Sequence, residues 1–415
     1  KEDITLTYYR LFDEDNALDE IIKAYQQQHK NITISVRKIA MPEGKTIYDY
    51  QQDDIITAFA NGEGPDMFMI HNDWLPYQIN QISPMPSSVM TVADYNQTFP
   101  KIVTSDFVAN NRIYAMPYYI DNLMLFYNTD MFAAAKIPRE KTPPKTWSDV
   151  AEIVPKLTKY NSDHTIAQSA ITLGLADEWI PRFAEILAAL IMQQGGQMTS
   201  ADHSKATFDL PVSLDKPYYA GENALQFYTS FADPASSLYT YSDTKLPDGS
   251  KKIPGDIQAF MEGKSAMFVG YSYQVANIRK YVGRSFSFAT APLPQWKLEE
   301  PAVVANYWGE TVSKNSKYPA VAWDFIKFAS QKANLRTYLN STGHVPANKE
   351  LLAGYTSKTY LGPVATQVNY SQAWYRSNTE EIEKIMAKMV NGVLHQGVSP
   401  KTAIELAVRE INELR

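Results

Sequence analysis

The N-terminal part of the chain alternates between two hydrophobic periods, and this alternation restricts the fold more than any other feature. LTYYRLF (6–12) reads as a strand. Asn16 is placed to cap a helix over 17–29, whose apolar stripe is Leu18, Ile21, Ile22 and Tyr25 at i, i+3, i+4 and i+7. NITISVRKI returns to period two through Ile32, Ile34 and Val36. YDYQQDDIITAFANG reads as a second helix stopped at Asn61-Gly62, and PDMFMI as a third strand. Strand, helix, strand, helix, strand at this spacing predicts a parallel α/β unit. Ligands of such sheets sit outside the carboxyl ends of the strands. Residues 9–13 and 71–74 therefore fall on one functional edge.

A chain of 415 residues exceeds one ordinary core and predicts two lobes or more. The formal charge of −6, from 39 basic and 45 acidic residues, argues against nucleic acid as a partner, since phosphate neutralisation needs a basic face. The absence of cysteine excludes disulfides, thiolate nucleophiles and cysteine metal sites. The longest mostly apolar run, FAEILAALIM, is about half of the ~20 residues a membrane helix needs; it reads as a buried helix ending at Gly195-Gly196. No signal peptide is visible, and KEDITLTYY opens on a strand pattern, as expected of a mature or trimmed chain. Further helices are expected in GENALQFYTSFA, IQAFMEG, PAVAWDFIKFAS, TEEIEKIMAKMVNGV and SPKTAIELAVREINEL, the last with Ser399 as N-cap and Pro400 at N1. Strands are expected near 113–115 and 123–127, and in SAMFVG and SFSFATAPLP; residues 238–256 form a polar, turn-rich insert.

Several catalytic patterns fail on chemistry. GYSYQ (270–274) nearly matches a serine nucleophile elbow, but Gln274 stands where a second glycine must be. EGKSAM lacks the first glycine of a phosphate loop, since position 258 is Gln, and reads as a helix-to-strand turn. The six histidines form no i,i+4 pair, so no metal site is expected. His71 reads either as a ligand contact or as a strand residue satisfied by a neighbour. DEDNALDE has Leu18 where a calcium loop needs glycine. Asp13, Asp73, Asp121 and Glu310 remain as carboxylates able to serve a glycosidase or to accept from sugar hydroxyls, and composition leaves both open.

GEGPDMFMIHNDW, RIYAMPYYIDNLMLFYNTDMFAAAKI, PPKTWSDV, IQAFMEGKSAMFVGYSY, APLP, YWGETVSKNSKYPAVAWDFIKF and STGHVPAN stand in one order across nearly the whole chain. In this set the chain resembles the family 1 extracellular solute-binding proteins of bacterial ABC importers, the maltose-binding-protein group. The resemblance implies a two-lobed α/β periplasmic-binding-protein-like fold of type II, each lobe a mostly parallel sheet flanked by helices. It places 1–117 with 311–343 in one lobe and 118–310 with 344–415 in the other, with three hinge crossings near 116–117, 309–310 and 342–346. It implies a non-enzymatic receptor, without cofactor or metal, for a carbohydrate, in particular an oligosaccharide. It also implies an ABC permease as partner, a monomer, and an extracytoplasmic, lipid-anchored or periplasmic location.

By position in the family pattern, Trp74, Tyr271, Tyr273, Trp308 and Trp374 are stacking candidates, with Tyr9 a weaker one. Asn72, Asp73, Asp13, Asp121 and Glu310 are the hydroxyl partners. Tyr and Trp suit this role because their rings meet the C–H face of a sugar. Each has a plainer alternative. Trp308 reads equally as packing at a crossing, Asp121 as a turn cap, and one of Tyr271 and Tyr273 as buried, their spacing of two placing them on one strand face. Trp147 and Trp323 read as structural. The rivals keep the fold but bind a polyol phosphate or polyamine, or make the chain a carbohydrate-active hydrolase. The paucity of Arg in the expected site segments, Arg10 being nearest, weighs against phosphate.

Overall fold

A computed structural model describes residues 2–215 and 217–414. Its chain divides into two compact units. One holds the residues up to Asp121 together with Ala305–Thr356; the other holds Asn122–Val304 with the residues from Ser357 onward. The divisions fall away from the bounds implied by the resemblance because of strand pairing. Trp308–Val312 pairs antiparallel with Met67–His71, and Val345–Pro346 with Tyr119–Ile120, which ties both segments to the first unit.

The first unit is built on a four-stranded sheet in the order Trp308–Val312, Met67–His71, Ile4–Arg10, Ile32–Lys38. Ile4–Arg10 runs parallel to both neighbours, as the alternating pattern predicts. The first helix is shorter than expected, at Asp19–Gln28, and its N-cap is Leu18 without a side-chain bond. Asn16 instead turns the chain at φ 50°, a left-handed conformation that Asn tolerates. The second helix also differs. Its middle, Tyr50–Thr57, is a π-helix between short α-helical ends. The wider turns put Tyr50 and Ile55, five apart, among the buried residues, and the Tyr50 hydroxyl donates to the Met69 carbonyl at 2.9 Å. Trp323 is fully buried and donates to Ser83 O. Gly309 has no side chain because the Phe107 ring lies 2.7 Å from where its Cβ would be.

The second unit departs from the mostly parallel sheet expected of it. Its three-stranded sheet has the order Met267–Gly270, Met124–Asn128, Phe288–Pro292, and both pairings are antiparallel. The physical reason is an inserted strand. Met267–Gly270 and Phe288–Pro292 run in one direction with the helix Val275–Val282 between them, as the sequence pattern suggests, but Met124–Asn128 lies between them with opposite polarity. Val303–Val304 and Ser371–Gln372 add a short parallel pair.

Phe183–Gln193 is buried around nearly its whole circumference. Its polar Gln193 accepts from Trp147 Nε1 at 2.8 Å and donates to Pro294 O and Ala302 O, so Trp147 is structural as expected. Thr146 caps the helix Trp147–Leu157 in a capping box with Asp149. Thr379–His395 and Pro400–Glu413 close the chain, Ser399 accepting from Thr402 N–H. The insert is a turn stapled down, with Leu246 and Gly249 bonded across Pro247-Asp248, Lys245 paired to Glu178 and Lys252 to Asp163. No helix of the described residues is long and apolar enough to cross a membrane.

Candidate functional site

In the first unit the register of two strands assembles an aromatic cluster. Trp308 is paired across the sheet with His71, at the carboxyl end of Met67–His71. The chain then turns, and Trp74 meets Trp308 edge-on, with centroids 5.1 Å apart at 81°. His71 meets Trp308 at 5.2 Å, and Tyr50 lies nearly parallel to Trp74 at 6.2 Å. The His71 ring lies between Asp73 and Asn306. Its Nδ1 lies 2.6 Å from Asp73 Oδ1 and its Nε2 2.7 Å from Asn306 Oδ1. Asn306 also donates its backbone N–H to Asp121 O, which links Asp121 to the cluster.

Phe12 completes this edge and escaped the sequence reasoning. It is 54% exposed, sits edge-on to Trp308 at 6.1 Å and holds φ 53°. A large side chain that is both exposed and left-handed is costly, and such positions cluster at functional sites. Asp13 follows it; burial raises its carboxyl above the usual range, against Arg10 and Lys38.

Three expected residues of this unit lie apart. Tyr9 is on the opposite sheet face from Tyr8 and Arg10, where Arg37 donates to its hydroxyl at 3.0 Å. Asn72 is fully buried, donates to Asp106 Oδ2 and accepts from Tyr307 N–H, so its amide is used inside the unit. Glu310 is also interior; it pairs with Arg10 and accepts from the Tyr8 hydroxyl. A buried acid beside a buried guanidinium answers the desolvation of both, and these partners of Glu310 lie inside the unit.

In the second unit the rings are backed by cations. The strand ends at Gly270, and Tyr271 caps a short 3-10 turn, Ser272–Gln274, where a continued strand was expected. Gln274 Oε1 accepts the Tyr271 N–H, and a Cβ on Gly270 would collide with that amide. Tyr271 is fully buried and Tyr273 is 50% exposed; their rings are nearly parallel, 6.2 Å apart. The Arg182 guanidinium lies 5.4 Å from the Tyr271 centroid and donates to Tyr273 Oη at 3.0 Å. Burial opposes its charge, yet Glu185 raises the group further. Glu185 also faces Arg376 at 3.7 Å. The Arg376 guanidinium stands 4.7 Å over the Trp374 ring and pairs with Glu383 at 3.0 Å. One chain of contacts thus joins the three stacking candidates through three residues the sequence reasoning did not single out. The signal for Glu185 was present: a lone carboxylate in FAEILAALIM must find a cation once that helix is buried.

A separate depression of about 560 Å³ in this unit is lined by Glu178, Trp179, Lys251, Asp256, Gln258 and Glu262 among others. Its Trp179 ring lies under the Lys251 ammonium at 4.5 Å. Among the described residues, no group of three His, Asp or Glu is placed to hold a metal ion.

Two α/β units, each presenting aromatic rings with hydrogen-bonding partners beside the end of a sheet strand, define a two-lobed binding protein. The profile of the bacterial extracellular solute-binding proteins matches residues 20–362, and the chain belongs to that family. It is similar to the maltodextrin-binding protein MdxE of Bacillus subtilis, 25% identical over 291 residues. That match covers 69% of this chain but only 61% of MdxE. It is 21% identical to the sn-glycerol-3-phosphate-binding periplasmic protein UgpB of Escherichia coli K12, covering 90% of this chain and 85% of UgpB. Among solved structures, the sugar-binding protein MalE of Xanthomonas citri shares the fold, with a TM-score of 0.78, 19% identity, and coverage of 99% of this chain and 97% of MalE.

Proposed function

We propose that this chain captures an oligosaccharide between its lobes and delivers it, chemically unaltered, to the permease of an ABC importer. The observation that carries this reading is the pair of ring arrays, one in each unit, with Phe12 and Tyr273 as their exposed faces. A sugar needs apolar area for its C–H face and acceptors for its rim. In this reading Phe12, Trp74 and Trp308 serve the first lobe and Tyr271, Tyr273 and Trp374 the second. Asp13, Asp73 and Asp121 are the acceptors. The name of MdxE supports a maltodextrin as the first ligand to try. Closure of the lobes on the sugar is the signal passed to the permease, driven by contacts made only when shut. The receptor acts as a monomer outside the cytoplasm, lipid-anchored or periplasmic.

A polyol phosphate is the second reading, supported by the name of UgpB and by the two guanidinium groups of the second unit. Arg182 and Arg376 already face Glu185, and Arg10 is closed off by Glu310. The saccharide reading therefore stands first. Hydrolysis stands last, because Glu310 is enclosed by Arg10 and Tyr8, away from any scissile bond it would have to protonate.

Calorimetric titration with maltose to maltoheptaose, with sn-glycerol 3-phosphate and with spermidine separates these readings. The expected result is one-to-one binding of a saccharide that is recovered intact by chromatography. Heat from the phosphate or the amine alone moves the assignment to that class, and cleavage of the sugar makes the chain an enzyme.

A further inference from the structure

Glu185 is 2% exposed on a helix whose other buried members are almost all apolar. A carboxylate there is unfavourable unless it is paired. Its Oε2 lies 3.4 Å from Arg182 Nη1, and its Oε1 3.7 Å from Arg376 Nη2. Beyond these cations are the rings: Tyr271 and Tyr273 on Arg182, Trp374 under Arg376. Two guanidinium groups that back three aromatic rings thus converge on one buried acid.

We propose that Glu185 determines the charge selectivity of this receptor: by holding both guanidinium groups it fixes the rings and withholds a free cation from the ligand, so that neutral sugars are accepted and their phosphate esters refused. The inference rests on the saccharide reading above. A guanidinium presents a planar fork that matches phosphate oxygens. The Arg182 side chain is 32% exposed, so it remains within reach of a solute once its carboxylate is gone. Arg182 keeps no other carboxylate within ion-pair distance among the described residues, whereas Arg376 keeps Glu383. Selectivity of this kind works by removing an attraction from the unwanted ligand.

Glu185→Gln preserves shape and removes one negative charge. Maltotriose and its 6-O-phosphate are titrated into wild type and variant by calorimetry. The wild type is expected to prefer the neutral sugar by about 100-fold, and Glu185→Gln to narrow that ratio by about tenfold or more. The gain in phosphate affinity should fade as salt is raised from about 0.02 M to about 0.5 M. A folded Glu185→Gln variant with an unchanged ratio overturns the inference, as does a wild type that binds both ligands equally well. Glu185→Asp provides a second arm should Glu185→Gln not fold: it keeps the charge on the helix but draws it back from Arg182, and is expected to shift the ratio the same way by a smaller amount. No shift in that variant also contradicts the proposal. If wild type binds no neutral saccharide at all, it is the saccharide reading that fails.

Discussion

The two units arrange similar rings by opposite means. In the first, Trp308 and His71 face each other because their strands are in register, and the rings then meet edge-on. Main-chain hydrogen bonds do the positioning, and the nearest ion pair, Arg10 with Glu310, is sealed into the interior. In the second, Tyr273 and Trp374 lie beyond the strand ends and are held by guanidinium groups that meet on Glu185. Side chains do the positioning, from segments far apart in sequence. A ring placed by backbone register survives most single substitutions nearby, whereas a ring placed by an ion pair loses its orientation when either partner changes. Changes to the groups that position the first array should therefore appear as lost stability, and changes to the cations that position the second as lost affinity or selectivity.

The largest test of that contrast is the interior ion pair. Glu310→Gln strands the buried Arg10 charge and should cost about 3–5 kcal/mol in chemical denaturation. Glu383→Gln, on the partly exposed side of the second array, should cost less than about 1 kcal/mol. Equal losses would break the comparison.

The next effect is on pH dependence, with opposite signs in the two units. In the second, burial pushes the Asp256 carboxyl up to about 7, against Ile257 N–H, Arg182 and Lys251. The folded state there holds its proton more tightly than the unfolded chain, so the stabilisation is complete below about pH 4 and is lost as pH rises through 7. Asp256→Asn should gain about 4 kcal/mol relative to wild type at pH 8 and nothing at pH 4. In the first unit, burial, aided by Arg10, pushes His344 down to about 4, and its ring stacks on Tyr119 at 4.2 Å. The unfolded chain binds that proton more tightly, so stability is complete above about pH 6.5 and falls as pH drops through 4. His344→Gln should remove about 2 kcal/mol of this acid sensitivity, allowing for the partial exposure of the ring. Urea midpoints against pH, followed by tryptophan fluorescence, check both signs.

Smaller effects fall on binding. Trp74→Ala should weaken saccharide binding by about 1–3 kcal/mol in calorimetry; unchanged affinity in a folded variant removes the ring from the site. Arg182→Lys keeps the charge and loses the planar fork that holds Tyr273, so affinity should fall by about 1 kcal/mol with little change in melting temperature. A variant that melts early but binds normally would show that Arg182 serves folding, contrary to the contrast drawn between the units.

This division also explains what the sequence disclosed. The first unit was legible because hydrophobic period and strand ends are local signals: three strands, their parallel pairing and the edge carrying Asp73 and Trp74 follow from residues 4–74. Trp147 and Trp323 were legible as structural from their neighbours. Phe12 was hidden because its exposure depends on a left-handed turn that no residue type there announces. Asn72 and Glu310 occupied promising positions, but their inward bonds to Asp106, Tyr307 and Arg10 come from distant segments. The second unit hid more. Its antiparallel sheet arises from a strand inserted between two others, and its array joins helix 183–193 to residues 271–273 and 374–376. Pairings of that range have no local period to betray them.

The most direct test of the whole account is a calorimetric titration of the wild-type chain with maltodextrins, followed by recovery of the ligand. The account predicts saturable one-to-one heat with at least one neutral oligosaccharide, and that sugar returned with its chain length unchanged. Absence of heat with every neutral saccharide, beside clear binding of a phosphate ester or polyamine, would contradict it.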